Sequence, residues 1–246
     1  MKSSLKVSVI LPTYNEAGNI VRLITELERY IPDPKEILVV DDNSPDGTSA
    51  IVSEHIRKYR LQNVRIKTRL SDRGLTNSLN DGISLSSGQI VCWMDADFSH
   101  PPTIMAEMIQ EVRNGTDCVI ASRFTHGLLL IGDRSQSISV QTVLSFFLNY
   151  LLKITLKYPF SDYTSGFIAI HKHVLFRNVT ELNGDYGEYF IRLVYTLLKR
   201  GVEIREIGYR SPQRLYGLSK TSPDLFTLIL KGIKYIKTVI TLNFSL

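Results

Sequence analysis

The stretch CWMDADFSHPP, residues 92–102, ends an apolar run on two carboxylates, Asp95 and Asp97, and then meets Pro101 and Pro102. In extended chain, residues i and i+2 project to one side, so both carboxylates can address one point. Two unpaired carboxylates a few ångströms apart repel each other. A hard divalent cation relieves that repulsion: Mg²⁺ or Mn²⁺ takes oxygen ligands and is commonly held by one or two carboxylates, with substrate phosphate completing the shell. The plainer reading is a polar turn in which Ser99 or Asp97 caps a helix over 103–113 that the prolines begin. The two readings part on whether other strands also end on acidic groups at the same edge.

Working outward, they do. Residues 6–11 (KVSVIL) read as a short strand that opens into a loop at Pro12 and Asn15, and Ile20, Leu23, Ile24 and Leu27 recur at helical spacing over 17–30. Residues 37–40 (ILVV) are a continuous apolar run, the mark of a parallel strand covered on both faces. The run stops on Asp41-Asp42-Asn43, before a helix that Thr48 can cap. A strand at 64–66, a helix marked by Leu75, Leu79 and Ile83, a strand at 90–94, a helix at 103–113 and a strand at 118–121 continue the alternation. Strand and helix alternating at this spacing predict an α/β fold: a Rossmann-like, mostly parallel sheet flanked by helices. The second half reads as a helix at 137–156, a strand at 166–171, a helix at 186–200, a strand at 202–207, a polar loop and a final helix from about 224. This divides the chain into a body over 1–222 and a C-terminal amphipathic helix over 223–246. Open α/β sheets bind ligands beyond the carboxyl ends of their strands, and Tyr14-Asn15-Glu16, Asp41-Asp42 and Asp95/Asp97 all fall there.

With 246 residues, 43% of them hydrophobic, the chain can bury a sizeable core. A formal net charge of +5 suits phosphate-bearing partners and is too weak to specify nucleic acid, so no nucleic-acid partner is expected. Cys92 and Cys118 each sit in an apolar run without metal-knuckle spacing, which predicts reduced core thiols. The N-terminal residues carry no apolar h-region of a signal peptide, and no uninterrupted apolar stretch is long enough for a spanning helix.

Other groups refine the chemistry. The Asp41-Asp42 pair has acceptors suited to the N–H groups of a base or to ribose hydroxyls, while Pro45-Asp46-Gly47 is a turn. Neither G-x-G-x-x-G nor a P-loop follows the first strand, where LPTYNEAG stands, so a NAD-type site is not expected. Arg123 and Arg134, beside the apolar 140–156 segment, suit a lipid phosphate, which guanidinium grips bidentately. Arg214 and Lys220 lie in a polar loop able to close over a diphosphate. His100 belongs to the acidic turn, and the histidines have no metal-ligand spacing. Within 225–244, Lys231, Lys234 and Lys237 oppose Leu225, Leu228, Ile229, Ile233, Ile236 and Ile240. That pattern fits an interfacial helix, and equally a helix packed on its own domain. The 140–156 segment likewise either packs or touches lipid.

LPTYNE (11–16), VVDDNSPDGT (39–48), RGL (73–75), DADFSHPP (95–102), SRF (122–124), DYTSGF (162–167) and RLYGLSK (214–220) are modest motifs singly. As an ordered set over nearly the whole chain, they resemble the inverting GT-A glycosyltransferases of family 2, and more narrowly the polyprenol (dolichol) phosphate mannosyltransferases. The resemblance implies a GT-A fold and a guanine nucleotide contacted by Pro12, Tyr14, Glu16 and Asp42, with Asp41 nearby. It implies Mg²⁺ or Mn²⁺ on Asp95 and Asp97 with Ser99 as a third ligand. Arg123 and Arg134 would take the lipid phosphate, and Arg214 and Lys220 the donor phosphates. The chain departs from the pattern where Leu128–Leu130 follow Gly127 and where Ile168 follows SGF, which bears on acceptor identity.

On this reading, mannose passes from GDP-mannose to a polyprenyl (dolichyl) monophosphate with inversion. The enzyme would work at the cytoplasmic face of a membrane, held by peripheral contact or a small membrane partner subunit. Alternatives are UDP-glucose as donor, a hydroxyl acceptor, or a non-catalytic nucleotide-sugar or membrane-binding module. Asp162 divides the catalytic readings: it is a base if the acceptor is a hydroxyl, or it orients an arginine or stabilises the loop before Gly166 if the acceptor is anionic. The arginines favour the second.

Overall fold

The computed structural model describes residues 5–125, 140–185, 187–210, 212, 234–235 and 237–242. In chain order the elements are β1 (Val7–Thr13), α1 (Ile20–Tyr30), β2 (Lys35–Asp41), α2 (Thr48–Tyr59), β3 (Val64–Thr68), α3 (Leu75–Leu85) and β4 (Ile90–Trp93). They continue as α4 (Pro102–Arg113), β5 (Cys118–Ser122), α5 (Val140–Leu156), β6 (Ile168–His171), α6 (Lys172–Asn178), α7 (Gly187–Lys199) and β7 (Ile204–Gly208). One seven-stranded sheet runs β3-β2-β1-β4-β6-β5-β7. The pairs β2–β3, β1–β2, β1–β4 and β5–β7 are parallel, and only β6 runs against its neighbours β4 and β5. The expected α/β class and mostly parallel sheet are observed. The short helix α6 was not expected, because HKHVLFRN carries neither a capping signal nor a repeat long enough to show a period.

The apolar runs fill both faces of the sheet, as a doubly covered parallel strand requires. Val9, Leu11, Ile37 and Val39 pack with Leu23, Ile24 and Leu27 of α1 and Met105, Ile109 and Val112 of α4. Their neighbours Ile10, Leu38 and Val40 point to the other layer, against Leu79 and Ile83 of α3. Cys92 and Cys118 are buried and unbridged, and burial pushes both thiols up, so they remain protonated core residues.

The second half contributes one tethered helix and one exposed stripe. Leu152 and Leu156 of α5 are buried, whereas Leu144, Phe147, Tyr150, Leu151 and Ile154 are exposed, the last four each by about half or more. One face of the helix therefore packs, and the other is uncovered among the described residues. The 222/223 boundary lies outside the described residues, as do 223–233. Farther on, Val239 is buried and Tyr235 and Leu242 pack with it on the second core, while Ile240 is exposed. Tyr235, Val239 and Leu242 stand at i, i+4 and i+7, so this part of the helix packs by a face other than the one holding Ile240. No helix of the described residues is long and apolar enough to cross a membrane.

At the amino edge of the sheet a buried carboxylate supplies a pH signature. Glu36 accepts from Ser8 Oγ (2.5 Å), the Ser87 amide (2.6 Å), Ser87 Oγ (2.8 Å) and Arg65 (2.8 Å). Burial by itself would raise its pKa, but these bonds bring it down to about 2. A carboxylate lowered on folding stabilises fully above its unfolded value and loses that contribution as pH falls through the folded one. The melting temperature is therefore expected to drop between pH 4.5 and about 2, with a visibly shallower drop in Glu36→Gln across that window. Parallel slopes for the two proteins would contradict the assignment.

Candidate active site

Strand order reverses at β1: the chain winds outward through β2 and β3, then returns to place β4 on the other side. A crevice opens at such a switch point beyond the carboxyl ends of the strands. The loops after β1, β2, β4, β5 and β7 all emerge there. Because β6 is antiparallel, the segment that precedes it, DYTSGF, reaches the same edge, with Ile168 paired to both Trp93 and Ile120. This reversal is how Asp162 meets Arg123.

The loops after β1 and β2 are laced together. Amides of Asn15, Glu16 and Ala17 donate to Ser44 Oγ (2.9 Å), Thr48 Oγ1 (3.0 Å) and Asp46 (3.0 Å). Asp41 is fully buried and accepts from Thr13 Oγ1 (2.9 Å), the Ser44 amide (2.9 Å) and Ser44 Oγ (2.6 Å). Asp42 accepts from Arg69 (2.7 Å), Ser78 Oγ (2.8 Å) and the Gly74 amide (2.8 Å), which fixes the turn that starts α3. Both aspartates thus act first as scaffolding for the loops. Arg69, which also bonds Asp81 at 2.8 Å, is a buried partner that sequence reading missed; its position just past β3, at the same edge, was the available signal. Pro12, the next-to-last residue of β1, is half-buried, Tyr14 is 39% exposed with the Arg73 guanidinium 5.8 Å over its ring, and Glu16 accepts from Asn19 (2.8 Å). These line the β1–β3 side of the edge.

The centre belongs to the loop after β4. Asp97 is buried and accepts from the Ser99 amide at 3.0 Å, so it closes its own turn rather than capping α4, whose N-cap is Pro101 with Pro102 as first residue. Phe98 between them adopts φ +67°, a conformation costly for a bulky residue, and lies under the Arg22 guanidinium at 5.4 Å. Asp95 is half-buried, and its amide donates to His100 Nδ1 at 3.0 Å. His100 stacks on Phe167 with centroids 4.5 Å apart, and burial keeps its imidazole neutral although Asp95 and Asp97 pull the other way. His100 is therefore a structural strut of this loop, one of the structural or surface roles its sequence context allows.

The third part lies over β5, β6 and β7. Arg123 grips Asp162 bidentately, Nε to Oδ2 at 2.7 Å and Nη2 to Oδ1 at 3.0 Å. Burial alone would lower the guanidinium pKa, but Asp162 holds it firmly charged. Asp162 has no exposed surface and also accepts from the Thr164 amide (3.0 Å), Thr164 Oγ1 (3.1 Å) and the Arg123 amide (3.3 Å). Thr164 Oγ1 in turn accepts from Arg123 (3.0 Å) and from Asn149 of α5 (3.0 Å), which ties the exposed helix to the arginine. Occupied in this way, Asp162 presents no oxygen to a substrate hydroxyl; it orients Arg123. Arg134, Arg214 and Lys220 lie outside the described residues.

Among the described residues no group of three or more His, Cys, Asp or Glu side chains converges to hold a metal. Two carboxylates at one strand end still match what Mg²⁺ or Mn²⁺ takes from a protein when substrate oxygens fill the rest of its shell.

Comparison with known proteins now decides the class. Residues 8–177 match the model of the family described as Glycosyl transferase family 2. The chain belongs to that family. It is a glycosyltransferase with a Rossmann-like mixed sheet consistent with the GT-A fold. It is 30% identical over 226 residues to the polyprenol monophosphomannose synthase of Mycolicibacterium smegmatis, covering 90% of this chain and 83% of that one. It is 38% identical over 124 residues to the dolichol-phosphate mannosyltransferase of Pyrococcus furiosus, a segment that is 50% of this chain and 34% of that protein, so the match spans about a third of the relative's length. Among solved structures, the fold matches glucosyl-3-phosphoglycerate synthase from Mycobacterium tuberculosis in complex with Mn²⁺, UDP and glucosyl-3-phosphoglycerate (TM-score 0.70, 18% identity, 98% of this chain and 81% of that one). It also matches mannosyl-3-phosphoglycerate synthase from Rubrobacter xylanophilus (TM-score 0.67, 19% identity, 96% and 73%).

Proposed function

We propose that this family 2 glycosyltransferase transfers mannose from GDP-mannose to the phosphate of a polyprenyl or dolichyl monophosphate, with inversion. One observation carries the acceptor class: Arg123, at the carboxyl edge beyond β5, is held charged and oriented by a buried aspartate that has no oxygen left to act as a base. Such a site suits an acceptor that already carries charge. A phosphomonoester has a second pKa near 6 and about −1.5 to −2 charge near neutrality, so its oxygen attacks the anomeric carbon without losing a proton. As the new carbon–oxygen bond forms, the bond to the departing nucleoside diphosphate breaks on the opposite face, and an α-linked donor gives a β-linked glycosyl phosphate.

The residues divide the work along the sheet edge. Tyr14, Glu16 and Pro12, on the laced loops over β1 and β2, bind the nucleotide; Asp41 and Asp42 support it by holding those loops and the turn before α3. Asp95 and Asp97, with Ser99 beside them, would hold Mg²⁺ or Mn²⁺, whose charge offsets that developing on the leaving diphosphate. Arg214 and Lys220 are assigned to the donor phosphates, and Arg123 and Arg134 to the acceptor phosphate. The uncovered apolar stripe of α5, joined to Arg123 through Asn149 and Thr164, would rest on the lipid surface from which the acceptor is drawn. On this reading the enzyme works peripherally at the cytoplasmic face of a membrane, with 1–222 as the catalytic body. The mannosyl relatives support the donor, and the phosphoglycerate enzymes of the same fold keep a soluble phosphate-bearing acceptor as the second reading.

The test is a two-by-two transfer assay. GDP-mannose and UDP-glucose would each be offered with a short isoprenyl monophosphate and with 3-phosphoglycerate, with Mn²⁺ and after chelation. Metal-dependent transfer from GDP-mannose to the isoprenyl phosphate is expected. Transfer only from UDP-glucose would replace the donor, and transfer only to 3-phosphoglycerate would replace the lipid.

A further inference from the structure

Tyr209 stands one residue past β7, at the same edge as the acidic pair and Arg123. Its backbone N–H donates a hydrogen bond to Ser122 O at 2.9 Å, just before Arg123. Its ring meets His100 edge-on (centroids 6.0 Å, planes at 83°) and Phe167 edge-on (5.6 Å, 90°), so two aromatic planes that are themselves stacked set its direction. The residue is 7% exposed, and among the described residues its hydroxyl has no hydrogen-bond partner. A buried hydroxyl without a partner forfeits its bonds to water and recovers nothing. Rigid placement of such a group beside a substrate site points to a ligand as the missing partner.

The surroundings say which kind. Burial keeps the phenol protonated, so it is a donor. Among its charged neighbours Arg123 acts on it most strongly, followed by Asp162, Asp95 and Asp97. Asp162 is already saturated by Arg123 and Thr164. An oxygen drawn in by the Arg123 guanidinium is then the acceptor that this hydroxyl lacks.

We infer that the Tyr209 hydroxyl donates to a phosphate oxygen of the acceptor, forming with Arg123 a seat for a phosphomonoester; this rests on the acceptor class proposed above. Neutral and fixed, such a donor adds direction to Arg123's charge and helps hold the attacking oxygen in line with the anomeric carbon.

Tyr209→Phe removes the oxygen and keeps the ring, so the melting temperature should hold or rise. Calorimetric titration with short isoprenyl monophosphate and with 3-phosphoglycerate, each in the presence of GDP and Mn²⁺, measures the seat without turnover and separates lipid from soluble phosphate. Binding of whichever compound the wild type prefers should weaken by roughly 10- to 100-fold in Tyr209→Phe, the loss of one hydrogen bond to a charged group, with affinity for GDP unchanged. Equal binding by both proteins, no binding of either compound by the wild type, or weaker binding of GDP instead would overturn the inference. The transfer assay judges the acceptor class separately: a wild type that binds a phosphomonoester through Tyr209 yet transfers no sugar to it would sink that reading and leave the seat standing.

Discussion

Asp97→Asn is expected to lower metal-dependent transfer by about a thousandfold, on the scale of losing electrostatic stabilisation of a leaving group. The substitution is chosen because the asparagine oxygen can still accept the Ser99 amide that closes the turn at 3.0 Å. The charge is removed and that bond is kept. One of two neighbouring carboxylates is then neutral, so metal-free stability should hold or rise. Nucleotide binding should lose its dependence on Mn²⁺. The plain-turn reading of DADFSHPP predicts near-normal transfer instead, so the assay and a melting curve separate the two.

Asp162→Asn carries the second large effect. The amide puts an N–H donor where Arg123 and Thr164 now donate, and breaks a pair in which one member has no exposure and the other is 27% exposed. Because the arginine can still reach water, the cost should fall below that of a fully buried pair, at about 2 to 4 kcal/mol. For a chain of this size that is roughly 5–15 °C in melting temperature. With Arg123 no longer aimed, kcat/KM for the acceptor should fall about a hundredfold. A general base at this position would give a different signature: lost turnover with an unchanged acceptor KM.

Much of this architecture is legible in the chain. KVSVIL reads as a short strand and ILVV as a doubly covered one, and alternate residues of each fill opposite faces. The observation that acidic groups follow strand ends located the edge. Groups whose meaning depends on distant partners were not legible. Arg69 reads as an ordinary charge until Asp42, Ser78 and Asp81 are brought to it. His100 reads as one more polar residue in a turn until the Asp95 amide and the Phe167 ring enclose it. Tyr209 falls in the polar loop after the 202–207 strand, although the strand-end rule that found Asp95 applies to it as well. The reversed direction of β6 was equally hidden, since an apolar run carries no sign of direction, and without it Asp162 has no route to Arg123. That geometry sets Asp162 against Arg123 and favours the orienting role over the base.

The central claim is that a phosphate oxygen, rather than a hydroxyl, receives the sugar. Phosphorus NMR of the purified transfer product, followed from pH 5 to 8, tests it directly. A glycosyl phosphodiester has lost the second ionisation near pH 6, so the account predicts a product resonance that stays still across this range. A resonance that still moves near pH 6 would show the phosphomonoester intact and the sugar on a hydroxyl, and would contradict it.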